Sequence, residues 1–200
     1  GALPVPIELI STQTIGASLG EDAKTNGVKA GVVGMALVAA FLILWYRLPG
    51  LVASISLLAY VILSLAAFKV MSVTFTAAGI AGFILSIGMA VDANVLIFER
   101  LKEELKKGKS VHDSLHEGFS RAWLSIRDSN ISSIITSVIL FWLGTSAIKG
   151  FALTLGIGVL ISMFTAITVS RTFLFAIAPN KDKAVSKRLR FLFGQAMSTW

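Results

Sequence analysis

Five segments of the chain are apolar and carry no charged residue. Seventeen uncharged residues lie between Lys29 and Arg47, 21 between Arg47 and Lys69, and 22 between Lys69 and Asp92. Two more uncharged segments follow at 129–148 and 150–170. A helix of about 20 apolar residues is long enough to cross the hydrocarbon core of a bilayer. The pattern therefore predicts five transmembrane helices, at about 30–48, 49–69, 72–98, 128–148 and 150–179.

Two of the predicted connections are so short that the helices on either side must be antiparallel neighbours. They are RLPG at 47–50 and IKG at 148–150. In lipid, only helices and closed barrels satisfy their own backbone hydrogen bonds. The predicted fold is therefore an all-α polytopic membrane protein, with five transmembrane helices in an antiparallel bundle and one larger loop between the third and the fourth.

The larger loop, 99–127, is amphipathic. Gly108 divides it into two parts, and Glu103 lies four residues before Lys107, the spacing of an ion pair on a helix. The pattern predicts two amphipathic helices along the cytoplasmic face of the membrane. The apolar residues that recur at helical spacing are Leu101, Leu105, Val111, Leu115 and Phe119.

The two ends of the chain do not look like membrane segments. Residues 1–11, GALPVPIELIS, alternate apolar positions and contain two prolines, which predicts an edge strand. Ser18 followed by Glu21 has the spacing of a capping box and predicts a helix from about Leu19. We therefore expect 1–29 to be a short β/α end of an external domain with a lead-in helix, 30–180 to be the membrane domain, and 181–200 to be a basic cytoplasmic tail.

Composition excludes several functional classes. With 55% apolar residues, 14% charged residues and a mean hydropathy of +0.81, the chain cannot be a water-soluble globule. It has no cysteine, so disulfides and cysteine-based metal or nucleophile sites are excluded. The formal charge of +7 would suit nucleic acid if the basic residues formed one patch, but they lie beside the apolar segments. No nucleic-acid partner is predicted.

The basic residues are distributed unequally between the two ends of the predicted helices. Thirteen lie on the side of the loop 99–127 and the tail, whereas the other side has Lys24, Lys29, Lys69 and Lys149. Cytoplasmic loops carry the excess of Lys and Arg. The amino-terminal segment is therefore predicted to be external and the carboxyl terminus cytoplasmic. Because an external start requires delivery across the membrane, we expect the chain to be part of a longer protein.

Asp92 is the residue that most needs an explanation. It lies seven positions before Glu99, about 10 Å inside the cytoplasmic end of the predicted third helix. A carboxylate at that depth costs about 2.5 kcal/mol or more on insertion scales, so it normally faces the bundle interior and belongs to an ion or proton pathway. Asn94 lies about 200° round the helix from Asp92, so the two side chains should address different neighbours. Gly88, one turn before Asp92, would allow another backbone to come close.

Two other predicted helices carry polar residues that suit a path to Asp92. Hydroxyl residues recur three or four positions apart in the first half of the fourth helix and along the fifth, in the same predicted leaflet as Asp92. Two interpretations remain open: a hydrated half-channel with Asp92 as a proton relay, or hydroxyl groups that only hold the helices together. The predicted supporting residues are Asn94, Gly88, Asp128, Asn130, Ser133, Thr136, Ser162 and Thr165.

Arg171 is the only basic residue that lies away from the ends of the predicted transmembrane helices. Its long side chain has two possible roles, as an interfacial anchor that reaches the cytoplasmic headgroups or as an inward-facing charge partner of Asp92. Both interpretations stay open, because the two residues lie at similar predicted depths of about 10 to 12 Å.

His112 and His116 are four residues apart, the spacing of a zinc site on a helix. The sequence supplies no third ligand, and histidines on an exposed helix face are ordinary. No metal site, no cofactor and no enzymatic activity are therefore predicted.

Long motifs of the chain resemble those of one family. The similar segments are GMAVDANVLIFERLKEEL, TAAGIAGFIL, RDSNISSIIT, GTSAIKGFALTLGIGVLISMFTA, LPVPIEL and TIGASLG, which together extend over almost the whole chain. They resemble the carboxyl-terminal membrane half of the SecD branch of the SecD/SecF family, within the resistance-nodulation-division (RND) superfamily. In that superfamily the fourth helix of each half carries the proton-relay acid, and Asp92 is the matching position. The resemblance implies that the family's first transmembrane helix and most of its first periplasmic domain lie outside this sequence.

The resemblance implies a proton-motive-force-driven accessory subunit of the Sec translocon in the bacterial inner membrane, with protons as the coupling ion. The implied partners are SecF, the SecYEG translocon with SecA, the unfolded preprotein and membrane lipids. SecF is also expected to carry the main charge partner of Asp92, whose protonation would shift the population between two conformations. Two alternatives remain: a scaffold that joins SecF to the translocon without transport, and an RND-type small-molecule exporter.

Overall fold

The computed structural model describes residues 17–178 and residue 193, and the only regular elements in this part of the chain are helices. The predicted amino-terminal strand and the basic tail lie outside the described residues. The last long helix continues into a π-helical segment, Thr165–Ser170. The α-helices are α1 (Ala17–Tyr46), α2 (Leu48–Val70), α3 (Ala77–Lys106), α4 (Val111–Leu143), α5 (Ser146–Phe164) and α6 (Arg171–Ile177).

Four helical stretches are long and apolar enough to cross a membrane. They are Thr25–Tyr46, Leu48–Val70, Ala77–Lys106 and Ser146–Ile177, which correspond to the first, second, third and fifth predicted spans. Most of the predicted fourth span, 128–148, lies in the second half of α4, which ends at Leu143. Serine, threonine and asparagine side chains lower the mean hydropathy there. The count of five therefore stays a prediction.

Two of the turns between helices are tighter than the sequence predicts. Only Arg47, with a positive φ of 55°, separates α1 from α2. Gly50, in the first turn of α2, lies against the Leu42 carbonyl oxygen, where any Cβ would clash. Between α4 and α5 the connection is Gly144 and Thr145. The predicted connection IKG is wrong, because Thr145 has the extended conformation of an N-cap and α5 begins directly after it.

The amphipathic loop 99–127 is a continuation of two long helices and not a separate surface element. α3 extends through it to Lys106, and Gly108 has a φ of 85°, which glycine adopts at little cost. α4 then runs back along α3, so close that a Cβ on Gly118 would lie 3.0 Å from the Leu101 backbone nitrogen. The predicted apolar stripe is the core of this hairpin: Leu101, Leu105, Val111, Leu115 and Phe119 are all buried.

The predicted ion pair between Glu103 and Lys107 is wrong. Arg100 instead donates to both carboxylate oxygens of Glu103, at 2.9 and 3.0 Å, and Lys107 donates to Glu104 at 2.6 Å. Both pairs span three residues, so one helical turn serves as well as the four-residue spacing that the sequence favoured.

The carboxylate of Glu104 links the end of α3 to the turn and to α4 through hydrogen bonds. Its side chain is only 1% exposed, and it accepts hydrogen bonds from Lys107, Lys109 and Arg121. The pKa of Lys109 is raised mainly by its hydrogen bond to Glu104 and, next in importance, by its hydrogen bond to Glu117. A buried carboxylate requires such partners, because an unpaired charge away from water is strongly unfavourable.

α3 packs most extensively against α5, and glycines allow the close approach. A Cβ built on Gly82 of α3 would lie 2.5 Å from the Phe151 carbonyl oxygen and 2.5 Å from Thr154 Oγ1. Gly158 of α5 lies equally close to the side chain of Ser86. Small residues at such a contact let two helix backbones approach in a membrane, where van der Waals packing drives association.

Gly82→Ala should destabilise the bundle, because the added Cβ meets a backbone oxygen that cannot move independently of α5. Overpacking of this kind costs about 1–3 kcal/mol. Gly34→Ala on α1 is the matched control, since a Cβ there meets nothing within 4 Å. Alanine's higher helix propensity should leave its stability unchanged or raised by up to about 1 kcal/mol. Thermal unfolding in detergent measures both, and equal stabilities would contradict the close packing of α3 on α5.

Candidate functional site

Asp92 lies on a face of α3 that the rest of the described chain leaves uncovered. Ala81, Leu85, Gly88 and Asp92 follow each other at spacings of four, three and four and are all exposed. We call these four residues the Asp92 face. A Cβ built on Gly88 would meet no atom within 4 Å, so the predicted close approach at Gly88 does not occur within this part of the chain.

Asp92 lines a cavity of about 190 Å³ between α3 and α4. It makes no hydrogen bond or ion pair with another residue that the structure describes. Around it, Asn130 Nδ2 and the Ser129 hydroxyl donate to the Ile126 carbonyl oxygen at 2.9 and 3.2 Å, and the Ser133 hydroxyl donates to the Ser129 carbonyl oxygen at 3.1 Å. Each hydroxyl keeps its oxygen lone pairs as acceptors. The cavity thus brings Asp92 together with Asn130 and Ser133.

Four other predicted supporting residues lie elsewhere. Asp128 is exposed and pairs with Arg127 at 3.0 Å, and Thr136 is exposed with its hydroxyl bonded within α4. Ser162 and Thr165 are buried, and each donates its hydroxyl to a carbonyl oxygen three residues earlier. None of the four lines the Asp92 cavity. Hydroxyls on a helix readily bond back to its own backbone, so a periodic set of them does not by itself form a water path.

Asn94 occupies the opposite side of α3 from Asp92, as the separation of about 200° predicts. It is 3% exposed. Its Oδ1 accepts a 2.6 Å hydrogen bond from the Ser170 hydroxyl, and its Nδ2 donates to the Ala90 carbonyl oxygen at 3.1 Å. Asn94 therefore joins α3 to the end of the π-helical segment and does not line the Asp92 cavity.

The π-helical segment, Thr165–Ser170, is a feature that the sequence reasoning missed. Hydrogen bonds reach it from two other helices, from Asn94 of α3 and from Ser56 of α2, whose hydroxyl donates to the Thr165 carbonyl oxygen at 3.4 Å. Single π-helical turns are rare and often occur at functional sites. The only signal in the sequence is the cluster of hydroxyl residues, which compete for backbone hydrogen bonds.

Arg171 begins α6 and lies away from the Asp92 cavity. Its exposed side chain lines a second cavity with His116, and its guanidinium carbon is 5.7 Å from the centre of the Phe175 ring. No ion pair joins it to another residue in the described part of the chain. His112 contacts the same ring from another side, at 5.3 Å between centroids, so the two histidines have different surroundings.

Comparison with known families identifies this arrangement. A profile of the family described as "Protein export membrane protein SecD/SecF, C-terminal" matches residues 3–180. The chain belongs to the SecD/SecF family. The SecD translocase subunits of Synechocystis sp. and Thermobaculum terrenum are 55% and 56% identical to it, over 92% and 87% of this chain. This SecD/SecF chain spans 39% and 35% of the length of those relatives.

Solved SecDF structures share the helical arrangement of this SecD/SecF chain. SecDF from Thermus thermophilus, described as a translocon-associated membrane protein, superposes with a TM-score of 0.79 at 38% identity, over 82% of this chain and 23% of its own. SecDF in a super-membrane-facing form gives a TM-score of 0.75 at 35% identity, over 93% of this chain and 26% of its own. The family and the four apolar helices together show an integral membrane protein.

Asn94→Ala should destabilise this SecD/SecF chain by about 1–3 kcal/mol, because the buried Ser170 hydroxyl loses its acceptor. Adding Ser170→Ala should cost little more, since the two substitutions remove one hydrogen bond. Asp92→Ala is the control: with the protein separated from its partners, its stability should change by less than about 0.5 kcal/mol. Thermal unfolding in detergent measures these three variants and Ser170→Ala alone. Fully additive losses at positions 94 and 170 would show that the two side chains do not interact.

Proposed function

We propose that this chain is the membrane part of a proton-motive-force-driven accessory subunit of the Sec translocon. In this proposal it works with SecF and promotes export of unfolded polypeptides across the bacterial cytoplasmic membrane. The family match supports protein export. The observation that carries the coupling to protons is the carboxylate of Asp92, on an uncovered helix face and beside the hydroxyl residues of α4.

In the proposed arrangement α4 also crosses the membrane, as the fourth of five spans in chain order. Its second half is apolar, and Val138, Ile139 and Trp142 are 50–84% exposed, which suits contact with lipid or with a partner helix. With five spans, the excess of basic residues near the connection between α3 and α4 puts that connection in the cytoplasm. The start of α1 is then external.

The Asp92 face needs a partner in the membrane. A carboxylate exposed to hydrocarbon at this depth costs about 2.5 kcal/mol or more, and such groups normally face a bundle interior. Ala81 and Gly88, on the same face as Asp92, are small residues, and small residues let another helix backbone approach closely. SecF is the proposed occupant and supplies the main counter-charge, while SecYEG with SecA supplies the polypeptide in transit.

The proposed mechanism is a population shift driven by protonation. Ionised Asp92 needs water or a counter-charge, whereas protonated Asp92 can donate a hydrogen bond to an oxygen of Ser129 or Ser133. The proton does work only if its affinity for Asp92 differs between two conformations. A shift of α3 would reach the end of the π-helical segment, because Asn94 is bonded to Ser170. No covalent step is needed.

Asp92→Asn should abolish the part of export that depends on the proton gradient, because an amide keeps the shape of the carboxyl group but cannot exchange its proton. Accumulation of the protein and association with SecF should be normal. Translocation of a preprotein into membrane vesicles, with and without an imposed gradient, measures the effect. The control is Asp128→Asn, since Asp128 is exposed and paired with Arg127. Full stimulation in the Asp92→Asn protein would contradict the relay and favour the scaffold.

Single cysteines at exposed positions should report the proposed topology in a cysteine-free background. Lys69→Cys and Lys149→Cys should react with an impermeant thiol reagent added to the external side, and Lys106→Cys should not. Basic residues concentrated near position 106 are the reason. Permeabilised cells provide the control, in which all three sites should react. Labelling of position 106 in intact cells would reverse the orientation.

A further inference from the structure

A second cavity, of about 290 Å³, lies where α4 meets the π-helical segment and α6. Four side chains around it carry hydrogen-bond donors: Arg171, His116, Ser120 and the indole of Trp123. None of the four makes a hydrogen bond or ion pair with another residue in the described ranges. Within the described part of the chain, these four donors have no hydrogen-bond acceptor, so they are available to a bound ligand.

The chemistry of the lining suits an anion. Arg171 supplies a permanent positive charge and the planar donor pattern that matches phosphate oxygens. Among the described residues that line the cavity, no side chain is acidic. Arg127, by contrast, is already paired with Asp128 at 3.0 Å, and Arg100 with Glu103 at 2.9 Å. Arg171 thus differs from these two arginines, because it forms no ion pair with a carboxylate in the described part of the chain.

The rest of the lining is apolar, which distinguishes a lipid from a free ion. Ile97, Ile126 and Ile167 line the cavity alongside the four donors. A volume of about 290 Å³ exceeds what a phosphate group alone occupies, and the surplus is bordered by these apolar side chains. A molecule with a phosphate at one end and hydrocarbon at the other matches both parts of the lining.

The level of the cavity along the helices agrees with a headgroup. It lies where the uncharged part of α3 gives way to charged residues, next to Ile97, two residues before Glu99. Tryptophan is enriched at this boundary between hydrocarbon and water, and Trp123 is half-buried there. Basic pockets between membrane helices on the cytoplasmic side are typical sites for anionic headgroups.

We propose that this cavity binds an anionic phospholipid, with the phosphate held by Arg171, His116 and Ser120 and the start of the acyl chains against Trp123 and the three isoleucines. The site is separate from the Asp92 cavity, since the two share only Ile126 in their described linings. Its ligand sits directly after Ser170, which bonds to Asn94 of α3. Lipid binding therefore supports the end of this span whether or not the chain takes part in export.

The test uses the complete protein in detergent and native mass spectrometry to measure binding of phosphatidylglycerol and of phosphatidylcholine. Phosphatidylglycerol should bind more tightly, and Arg171→Gln should weaken its binding roughly tenfold, the effect of losing one charged hydrogen-bonding group. Arg127→Gln is the matched control and should bind as the unmodified protein does. Ser120→Phe, which fills the cavity but keeps every charge, should also weaken binding.

Competition separates the two sources of phosphate. Inorganic phosphate in molar excess should leave bound phosphatidylglycerol in place, because it lacks the apolar part. Displacement by inorganic phosphate would overturn the lipid assignment in favour of a small-anion site. Equal retention of phosphatidylcholine, or a loss in Arg127→Gln as large as in Arg171→Gln, would overturn the proposal altogether. Normal binding in Ser120→Phe would show that the lipid binds elsewhere.

Discussion

The free-energy cost of an ionised group in hydrocarbon determines where the polar side chains of α3 can lie. Its two polar side chains in the middle of the helix face opposite directions. The amide of Asn94 points into the chain, where Ser170 and the Ala90 carbonyl oxygen satisfy it permanently. The carboxylate of Asp92 lies on the uncovered side. A neutral amide can be satisfied once and for all within one chain, whereas a group that gains and loses a proton needs surroundings that can change. If Asp92 is the proposed proton relay, one helix carries a fixed contact at Asn94 and a variable one at Asp92.

This division works only if α3 moves as a unit, and both of its ends are held. Near the first end, Gly82 brings the backbones of α3 and α5 into contact. At the other end, the buried carboxylate of Glu104 binds cations of the turn and of α4. Close-packed contacts of this kind transmit displacement because they cannot be compressed. The uncovered stretch around Asp92 lies between these two contacts.

Hydrophobic periodicity predicts much of this fold, because the bilayer demands long apolar helices. The stripe from Leu101 to Phe119 and the opposition of Asp92 and Asn94 both follow from the period of 3.6 residues. Boundaries set by a single backbone conformation, at Arg47 and Gly144, do not show in such a pattern. Hydroxyl residues are ambiguous for a different reason. Ser162 and Ser133 both donate back to a carbonyl oxygen of their own helix, yet only Ser133 lines the Asp92 cavity. The same residue type at the same spacing occurs in both environments. In the sequence, the π-helical segment is marked only by its hydroxyl residues, which other helices carry as well.

The π-helical segment also fixes a rotational phase. Each residue of an α-helix advances by about 100° around the axis, whereas the wider turns that bond residue i to i+5 advance by less. α6 is therefore turned about the axis relative to a continuous α-helix over 146–177. Arg171 and Phe175 emerge beside α4 because of this offset. If the segment tightened into an α-helix, α6 would rotate about the helix axis. The hydrogen bond from Ser170 to Asn94 holds α6 at its present angle.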